Sequence, residues 1–114
     1  MLAVIFEVYP TPEGKDEYLA IAAGLRELLA DQPGFIAIER FQSLSDENKL
    51  LSLSYWEDEQ AVQAWRNVAE HRLAQQLGKS KLFDDYRILV AEVLRDYSAT
   101  DRDQAPADST AALA

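Results

Sequence analysis

Two periodicities of apolar residues divide the first 97 positions into strands and helices. Four short runs rich in β-branched and aromatic residues are typical of strands. They lie at residues 2–9, 35–42, 48–56 and 86–97. Between the first two runs, apolar residues recur every three or four positions from Asp16 to Ala30, which predicts a helix with one apolar stripe.

Capping residues and charge predict where the helices begin. Thr11 is a candidate N-cap for the first helix, with Pro12 at its first position, and the sequence DQPG at 31–34 ends this helix. The acidic sequence EDE at 57–59 predicts the start of a second helix near Asp58, because negative charge stabilises the amino end of a helix.

The apolar stripe of the second helix changes direction along its length. The apolar residues around Trp65 share one arc of the helical wheel, whereas those around and after His71 centre about 100° away. One straight helix would leave one of the two arcs in water, which predicts a bend or a break into two short helices around residues 70–72. Such a junction would place His71 and Arg72 beside the space between helix and sheet.

The element order βαββαβ predicts a ferredoxin-like α+β fold, with both helices on one face of a four-stranded antiparallel sheet. The first and last strands carry apolar residues on both faces; in the first, Val4 and Phe6 alternate with Ala3 and Ile5. Two helices cover only one face, so the other would expose an apolar patch unless a second subunit covered it. The sequence therefore predicts a homodimer with its sheets face to face, as a dimeric α/β barrel.

The last 17 residues, SATDRDQAPADSTAALA at 98–114, lack any apolar period. Small, polar and acidic residues bury too little apolar area to offset the entropy that is lost when they become ordered. We therefore predict one domain over residues 1–97, followed by a flexible acidic tail over residues 98–114.

Composition narrows the partners and the compartment. The net charge of −9 argues against a nucleic-acid partner, because phosphate backbones bind clustered Lys and Arg. The apolar runs are strand-sized, and Met1 leads directly into a strand pattern, so neither a membrane partner nor a leader is predicted. Cysteine is absent, which excludes disulfides and thiolate chemistry. Together these features predict a cytoplasmic protein.

Both tryptophans and the single histidine lie within the 16 residues from Trp56 to His71. One histidine without further ligands does not form a metal site. An imidazole is suited to proton transfer near neutral pH, so His71 is either a general base or a structural residue. Trp65 is either a core residue or a contact for a flat substrate, and Arg72 is either an anion contact or the partner of nearby carboxylates. Nucleophile triads, phosphate-binding glycine loops and dinucleotide fingerprints are absent.

Three segments resemble the antibiotic biosynthesis monooxygenase (ABM) domain family, whose members are small dimeric α+β barrels. These segments are PGF at 33–35, LLSLSYWEDEQAVQAWRNVAEHRLAQQ at 50–76 and FDDYRILVAEVLRDY at 83–97. The resemblance covers roughly residues 1–97. It implies the fold and the dimer but no single function, because the family includes cofactor-free oxygenases, haem-degrading enzymes and quinol oxygenases.

The cofactor-free oxygenases of this family imply a mechanism without a bound cofactor. Their substrate is deprotonated in a dry pocket and its anion reacts directly with oxygen, while the protein supplies a base or a hydrogen-bond donor and excludes water. The resemblance implies that Trp65 packs on the substrate and that His71 accepts its proton, with Arg72 beside it. Tyr55 and Tyr86 are further candidates for hydrogen bonds to the substrate.

The haem-degrading branch implies a different site. It shares the tryptophan at Trp65, but its histidine ligand lies about where Gln75 stands, and residues 2–9 lack the asparagine of its first strand. These departures disfavour haem degradation and leave His71 as the only candidate haem ligand. Three functions are therefore retained. They are a cofactor-independent monooxygenase of a small aromatic or quinol-like substrate, a haem-binding or haem-degrading monooxygenase, and a non-catalytic dimeric domain that binds a small molecule or is associated with stress.

Overall fold

A computed structural model describes the backbone of residues 1–77 and 82–113, and the side chains of residues 1–69 and 82–113. The elements are β1 (Leu2–Pro10), α1 (Lys15–Leu29), β2 (Phe35–Gln42), β3 (Leu50–Trp56), α2 (Glu59–Leu77), β4 (Phe83–Glu92) and α3 (Ala107–Leu113). The four strands form one antiparallel sheet in the order β2-β3-β1-β4. This order, with two helices between the strands, confirms the predicted ferredoxin-like α+β fold.

The predicted strands match β1, β2 and β3 closely, but the last strand is displaced. It spans Phe83–Glu92 rather than 86–97. The reason is its neighbour: β4 pairs along β1 from Pro10 to Leu2, and Leu2 is opposite Glu92. Beyond this pair, the Val93 amide donates one hydrogen bond to the Met1 carbonyl at 3.0 Å. The apolar residues after Glu92 therefore have no partner strand, although their pattern is strand-like.

Thr11 does not cap the first helix as predicted. Helix α1 has Gly14 at its N-cap position, and this position makes no side-chain capping bond. Thr11 instead closes the turn before the helix, because its Oγ1 accepts a hydrogen bond from the Gly14 amide at 2.9 Å. Its own amide donates to the Leu82 carbonyl at 2.8 Å. The threonine thus joins the end of β1 to the start of β4, and the helix begins at Lys15, three residues later than the predicted start at Pro12.

Helix α2 begins as predicted and continues through the predicted junction at residues 70–72. Asp58 Oδ1 accepts a hydrogen bond from the Ala61 amide at 2.8 Å, which is the geometry of an N-cap. The helix then runs without interruption from Glu59 to Leu77, so the predicted break into two short helices is wrong, and the alternative, a bend around residues 70–72, stays a prediction. Residues 59–77 contain neither Gly nor Pro and are rich in Ala, Gln, Glu and Leu, which favour helix whichever way the apolar side chains point.

The segment after residue 97, predicted as a flexible acidic tail, contains one short helix. Residues Ala107–Leu113 form α3, a helix of seven residues that buries none of its side chains. Arg102 makes the local contacts of this segment, because its guanidinium donates to the Ser98 carbonyl, to Ser109 Oγ and to Thr110 Oγ1. These contacts connect the tail to itself, and its flexibility stays a prediction.

Buried residues form two clusters between the helices and the sheet. We call the first the Trp56 cluster; its members are Leu29, Trp56, Ala61 and Val62. The second is the Tyr18 cluster; its members are Val8, Tyr18 and Ala22. Trp56 is 0% exposed, and its Nε1 donates to Ser54 Oγ at 2.9 Å. The Trp56 cluster combines residues of both helices with β3, and the Tyr18 cluster combines residues of α1 with β1, so one face of the sheet carries the core.

Gly34 allows the start of β2 to approach helix α2 at the Trp56 cluster. Its φ of +80° lies in the left-handed region that favours glycine. A Cβ at this position would lie 2.5 Å from the Cβ of Ala61. The close contact between this turn and α2 therefore depends on the missing side chain.

The sheet face opposite the helices stays apolar and open in this chain. Ile5 is paired with Leu53 on one side and with Leu89 on the other, so these three side chains lie next to one another across three strands. None of the three is buried. We call this surface the open face. It is the apolar patch on which the homodimer prediction rests, and the homodimer itself stays a prediction.

Candidate functional site

A cavity of about 140 Å³ lies between the two helices and the sheet. Its walls come from both core clusters, with Tyr18 and Phe83 on one side and Leu29 and Trp65 on the other. Most lining side chains are aliphatic or aromatic. An apolar cavity with few polar groups is the usual form of a small-molecule site.

Trp65 forms part of the cavity wall and is held there by the other tryptophan. The ring centroids of Trp56 and Trp65 are 6.1 Å apart, with an angle of 27° between the planes. Trp56 is fully buried, whereas Trp65 is partly exposed. The structure thus brings the predicted substrate contact to a cavity, and its role in binding stays a prediction.

His71 and Arg72 have side chains outside the described residues. Their backbones belong to α2, beyond Ala69, which is a lining residue of the cavity. The predicted roles of His71 as proton acceptor and of Arg72 as its neighbour therefore stay predictions.

The structure does not bring Tyr55 and Tyr86 into the cavity. Tyr55 lies between Ser54 and Trp56 on β3, and the side chain of Trp56 points towards the helices, so Tyr55 points to the open face. Tyr86 is 56% exposed on β4. Its ring makes edge contacts with Phe6 at 6.0 Å and with Phe83 at 6.1 Å. Because these two phenylalanines line the cavity, Tyr86 lies behind the wall and not inside it.

Three polar residues line the cavity that the sequence analysis did not select, namely Tyr18, Arg40 and Ser52. Arg40 and Ser52 are directly paired between β2 and β3. The sequence did contain an indication for Arg40. It is two positions after Ile38 on β2, so both side chains point to the same face, and a cation therefore occupies the face that points to the helices. Tyr18 gave no such signal, because a tyrosine on an apolar helix stripe looks like any other core residue.

The phenol of Tyr18 is buried beside a positive charge. Burial raises the pKa of Tyr18 above its usual value of 10.0, and the charge of Arg40 acts in the opposite direction. The phenol is therefore protonated at neutral pH and can donate a hydrogen bond. Because Tyr18 lines the cavity, its hydroxyl is a candidate donor to an oxygen atom of a bound molecule.

Metal-binding clusters and membrane-spanning helices are both absent from the described part of the chain. Among residues whose side chains the structure describes, no group of three or more histidine or acidic side chains is placed to hold a metal ion. No helix within the described ranges is long and apolar enough to cross a membrane.

Comparisons with known proteins agree on a family. The sequence profile described as "Antibiotic biosynthesis monooxygenase" matches residues 1–77. The protein named jasmonate monooxygenase ABM from Pyricularia oryzae (strain 70-15) is 45% identical over 93 residues, which are 82% of this chain. The uncharacterised protein YqjZ from Bacillus subtilis (strain 168) is 33% identical over 93 residues, which are 82% of this chain and 79% of that protein.

The fungal relative is longer than the present chain, which spans 43% of its length. A solved structure of a SnoaB mutant, described as a cofactor-independent oxygenase from Streptomyces nogalater, has a TM-score of 0.67 and covers 83% of this chain and 94% of its own. At 11% identity this likeness shows the fold alone. The profile match covers more than half of the chain, and the sequence identity to the two relatives is 45% and 33%. This chain therefore belongs to the antibiotic biosynthesis monooxygenase family.

Proposed function

We propose that this chain is a cofactor-independent monooxygenase acting on a small aromatic or quinol-like molecule in the cavity beside Trp65. The apolar cavity with an indole in its wall supports this proposal most directly. The name of the fungal relative supports the reaction class, because that protein is 45% identical and is called a monooxygenase. SnoaB has the same fold and is described as working without a cofactor.

The proposed reaction uses the substrate as its own electron donor. Taking an anthrone as an example, removal of a proton from the ring CH₂ group gives an anion that reacts with O₂ at the same carbon. One oxygen atom remains there as a ketone, and the other leaves as water with the two hydrogens of the CH₂ group. The four electrons that reduce O₂ come from this carbon, so no external reductant is needed. The protein has to accept a proton, hold the anion and exclude water.

Each task has a candidate residue. His71 accepts the proton in this proposal, with Arg72 beside it, and Trp65 packs against the aromatic ring. Tyr18 replaces Tyr55 and Tyr86 as the proposed phenolic donor, because it is the tyrosine that lines the cavity. A protonated phenol next to the substrate oxygen stabilises the negative charge that deprotonation places there.

Oxygen uptake with a panel of anthrones and hydroquinones tests this proposal. His71→Ala should reduce turnover by about 10² to 10⁴-fold if the imidazole accepts the proton, with little change in melting temperature. Asn67→Ala is the matched control, because it removes an exposed polar side chain from the same helix. Strong destabilisation by His71→Ala, with unchanged turnover of the folded fraction, would show that the histidine is structural.

The two other candidate functions give different results in the same experiment. A haem protein that uses His71 as ligand would develop a sharp Soret band when haem is added in a one-to-one ratio, and His71→Ala would abolish the band. A non-catalytic binding domain would bind members of the panel without consuming oxygen. No cofactor forms part of the proposal, and we place the protein in the cytoplasm.

The proposal includes a homodimer that buries the open face. Leucine and isoleucine side chains that are not buried form a patch across three strands, of the kind that subunit contacts cover. Sedimentation equilibrium at micromolar concentration should give twice the chain mass, and Leu53→Lys should shift the protein to the monomer, because it places a charge inside the interface. Lys substitution at the exposed Leu44, outside the strands, is the control. A soluble monomer at these concentrations contradicts the proposed assembly.

A further inference from the structure

A second depression adjoins the cavity at the edge of the sheet. It has a volume of about 320 Å³ and is lined by Arg26 from α1 and by Ile38, Glu39 and Arg40 from β2. Ile38 and Arg40 also line the cavity. The two spaces therefore meet at these two side chains, and we call the outer one the arginine groove.

The two arginines of the groove lack carboxylate partners within the described part of the chain. The ion pairs there join Glu7 to Arg87 at 3.0 Å and to Lys49 at 3.6 Å. Neither Arg26 nor Arg40 has a hydrogen bond or an ion pair with a described residue, although the chain has 20 acidic residues. Two guanidinium groups at one opening, neither of them paired with a described residue in a chain of net charge −9, favour an anionic ligand over a structural role.

The position of Arg40 connects this charge to the cavity. It is paired with Ser52 across the strands, and both residues line the cavity together with Tyr18. A ligand that contacts Arg40 from inside thus meets hydroxyl groups next to the guanidinium, and apolar side chains beyond them. Glu39 also lines the groove and adds one negative charge, which leaves a net positive charge on its lining residues.

We infer that the arginine groove binds the carboxylate of an amphipathic small molecule whose aromatic or apolar body enters the cavity beside Trp65. A guanidinium can hold a carboxylate through two parallel hydrogen bonds, which fixes both the position and the orientation of the ligand. The inference deepens the proposed function and rests on the same cavity, since it narrows the substrates to aromatic or quinol-like carboxylic acids.

Binding of 2-naphthoate and of its methyl ester tests this inference by calorimetry. The two probes share one aromatic body, differ in charge, and do not react with oxygen under these conditions, so binding is measured without turnover. The acid should bind about 10 to 100-fold more tightly than the ester, the range expected for hydrogen bonds to a charged group. Added salt should weaken binding of the acid and leave the ester unchanged, because ions screen the arginines.

Single substitutions of arginines test whether the tighter binding of the acid comes from the arginine groove. Arg40→Gln should weaken binding of the acid by about 10-fold or more and change that of the ester less than about twofold. Arg26→Gln should have a smaller effect in the same direction. Arg66→Gln is the matched control, because this exposed arginine of α2 lines neither space and removes the same charge. Melting temperatures verify that all three variants are folded.

Three outcomes would overturn the inference: equal affinity for acid and ester, an effect of Arg66→Gln as large as that of Arg40→Gln, or no binding of either probe at millimolar concentration. Oxygen uptake separates this failure from failure of the proposed function. If the unmodified protein oxidises neutral hydroquinones while it binds acid and ester equally, the monooxygenase proposal stands and the carboxylate preference is wrong.

Discussion

The two tryptophans of this chain lie in contact but have different surroundings. Trp56 is 0% exposed, and its indole nitrogen is bonded to Ser54. Trp65, with its ring centroid 6.1 Å away, is partly exposed and lines the cavity. The first is packed on all sides, in the cluster where Gly34 lets the chain approach α2. The comparison shows that a close-packed cluster around Trp56 can hold Trp65 in place as the wall of an open cavity.

The largest expected effect is on stability and concerns Trp56. Trp56→Ala should lower the free energy of unfolding by about 3 to 5 kcal/mol, because it leaves a cavity in the close-packed cluster. Trp65→Phe keeps an aromatic ring at the cavity and should cost less than about 1.5 kcal/mol, while weakening binding of aromatic ligands. Urea unfolding and ligand titration measure the two quantities. A larger loss of stability from Trp65→Phe than from Trp56→Ala would invalidate the contrast between the two residues.

The second effect concerns the turn that packs against the Trp56 cluster. Gly34→Ala should destabilise the protein by about 1 to 3 kcal/mol, because it places a side chain at positive φ and directly against Ala61. Gly24→Ala is the control within α1, where an added Cβ meets nothing within 4 Å. That substitution should stabilise the helix by about 0.5 to 1 kcal/mol. Thermal melting should show a lower melting temperature for Gly34→Ala and a higher one for Gly24→Ala. Changes in the same direction would contradict the close approach at Gly34.

The smallest effect concerns Tyr18 and appears only at alkaline pH. Because burial raises the folded-state pKa above 10.0, the unfolded chain ionises first. The contribution of Tyr18 to stability is therefore complete below pH 10 and is lost as the pH rises through the folded-state pKa. Tyr18→Phe should flatten this alkaline decline by at most about 1.4 kcal/mol per pH unit. Unfolding titrations between about pH 9 and 11, with Tyr86→Phe as the exposed control, measure the difference.

Several elements could be predicted from the sequence because their signals are local. Strand β2 has the predicted ends, and Asp58 marks the start of α2 as its charge and capping ability suggest. The errors arose where a local pattern competes with a distant partner. Thr11 looks like a helix cap but bonds a turn that is joined to Leu82, and residues after Glu92 look like a strand but lack a neighbour.

The candidate site was only partly visible in the sequence. Trp65 could be placed on the inner face of its helix from periodicity alone, and the structure puts it at the cavity. Tyr55 and Tyr86 were chosen for their phenols, yet alternation directs one to the open face and the edge position of β4 leaves the other exposed. Tyr18 and Arg40 are 22 positions apart, and no local pattern connects a helix residue with a strand residue at that distance.

The sequence by itself determined the order of strands and helices, the apolar stripe of α1 and the excess of negative charge. These properties follow from periods of two and 3.6 residues and from composition, which act over a few neighbouring positions. Only the tertiary structure decided that Arg40 and Ser52 meet Tyr18 and Trp65 around one cavity, and that Arg26 and Arg40 share its opening. The reason is that side chains from different elements come together only when the helices are packed on the sheet, and packing depends on shape across the whole chain.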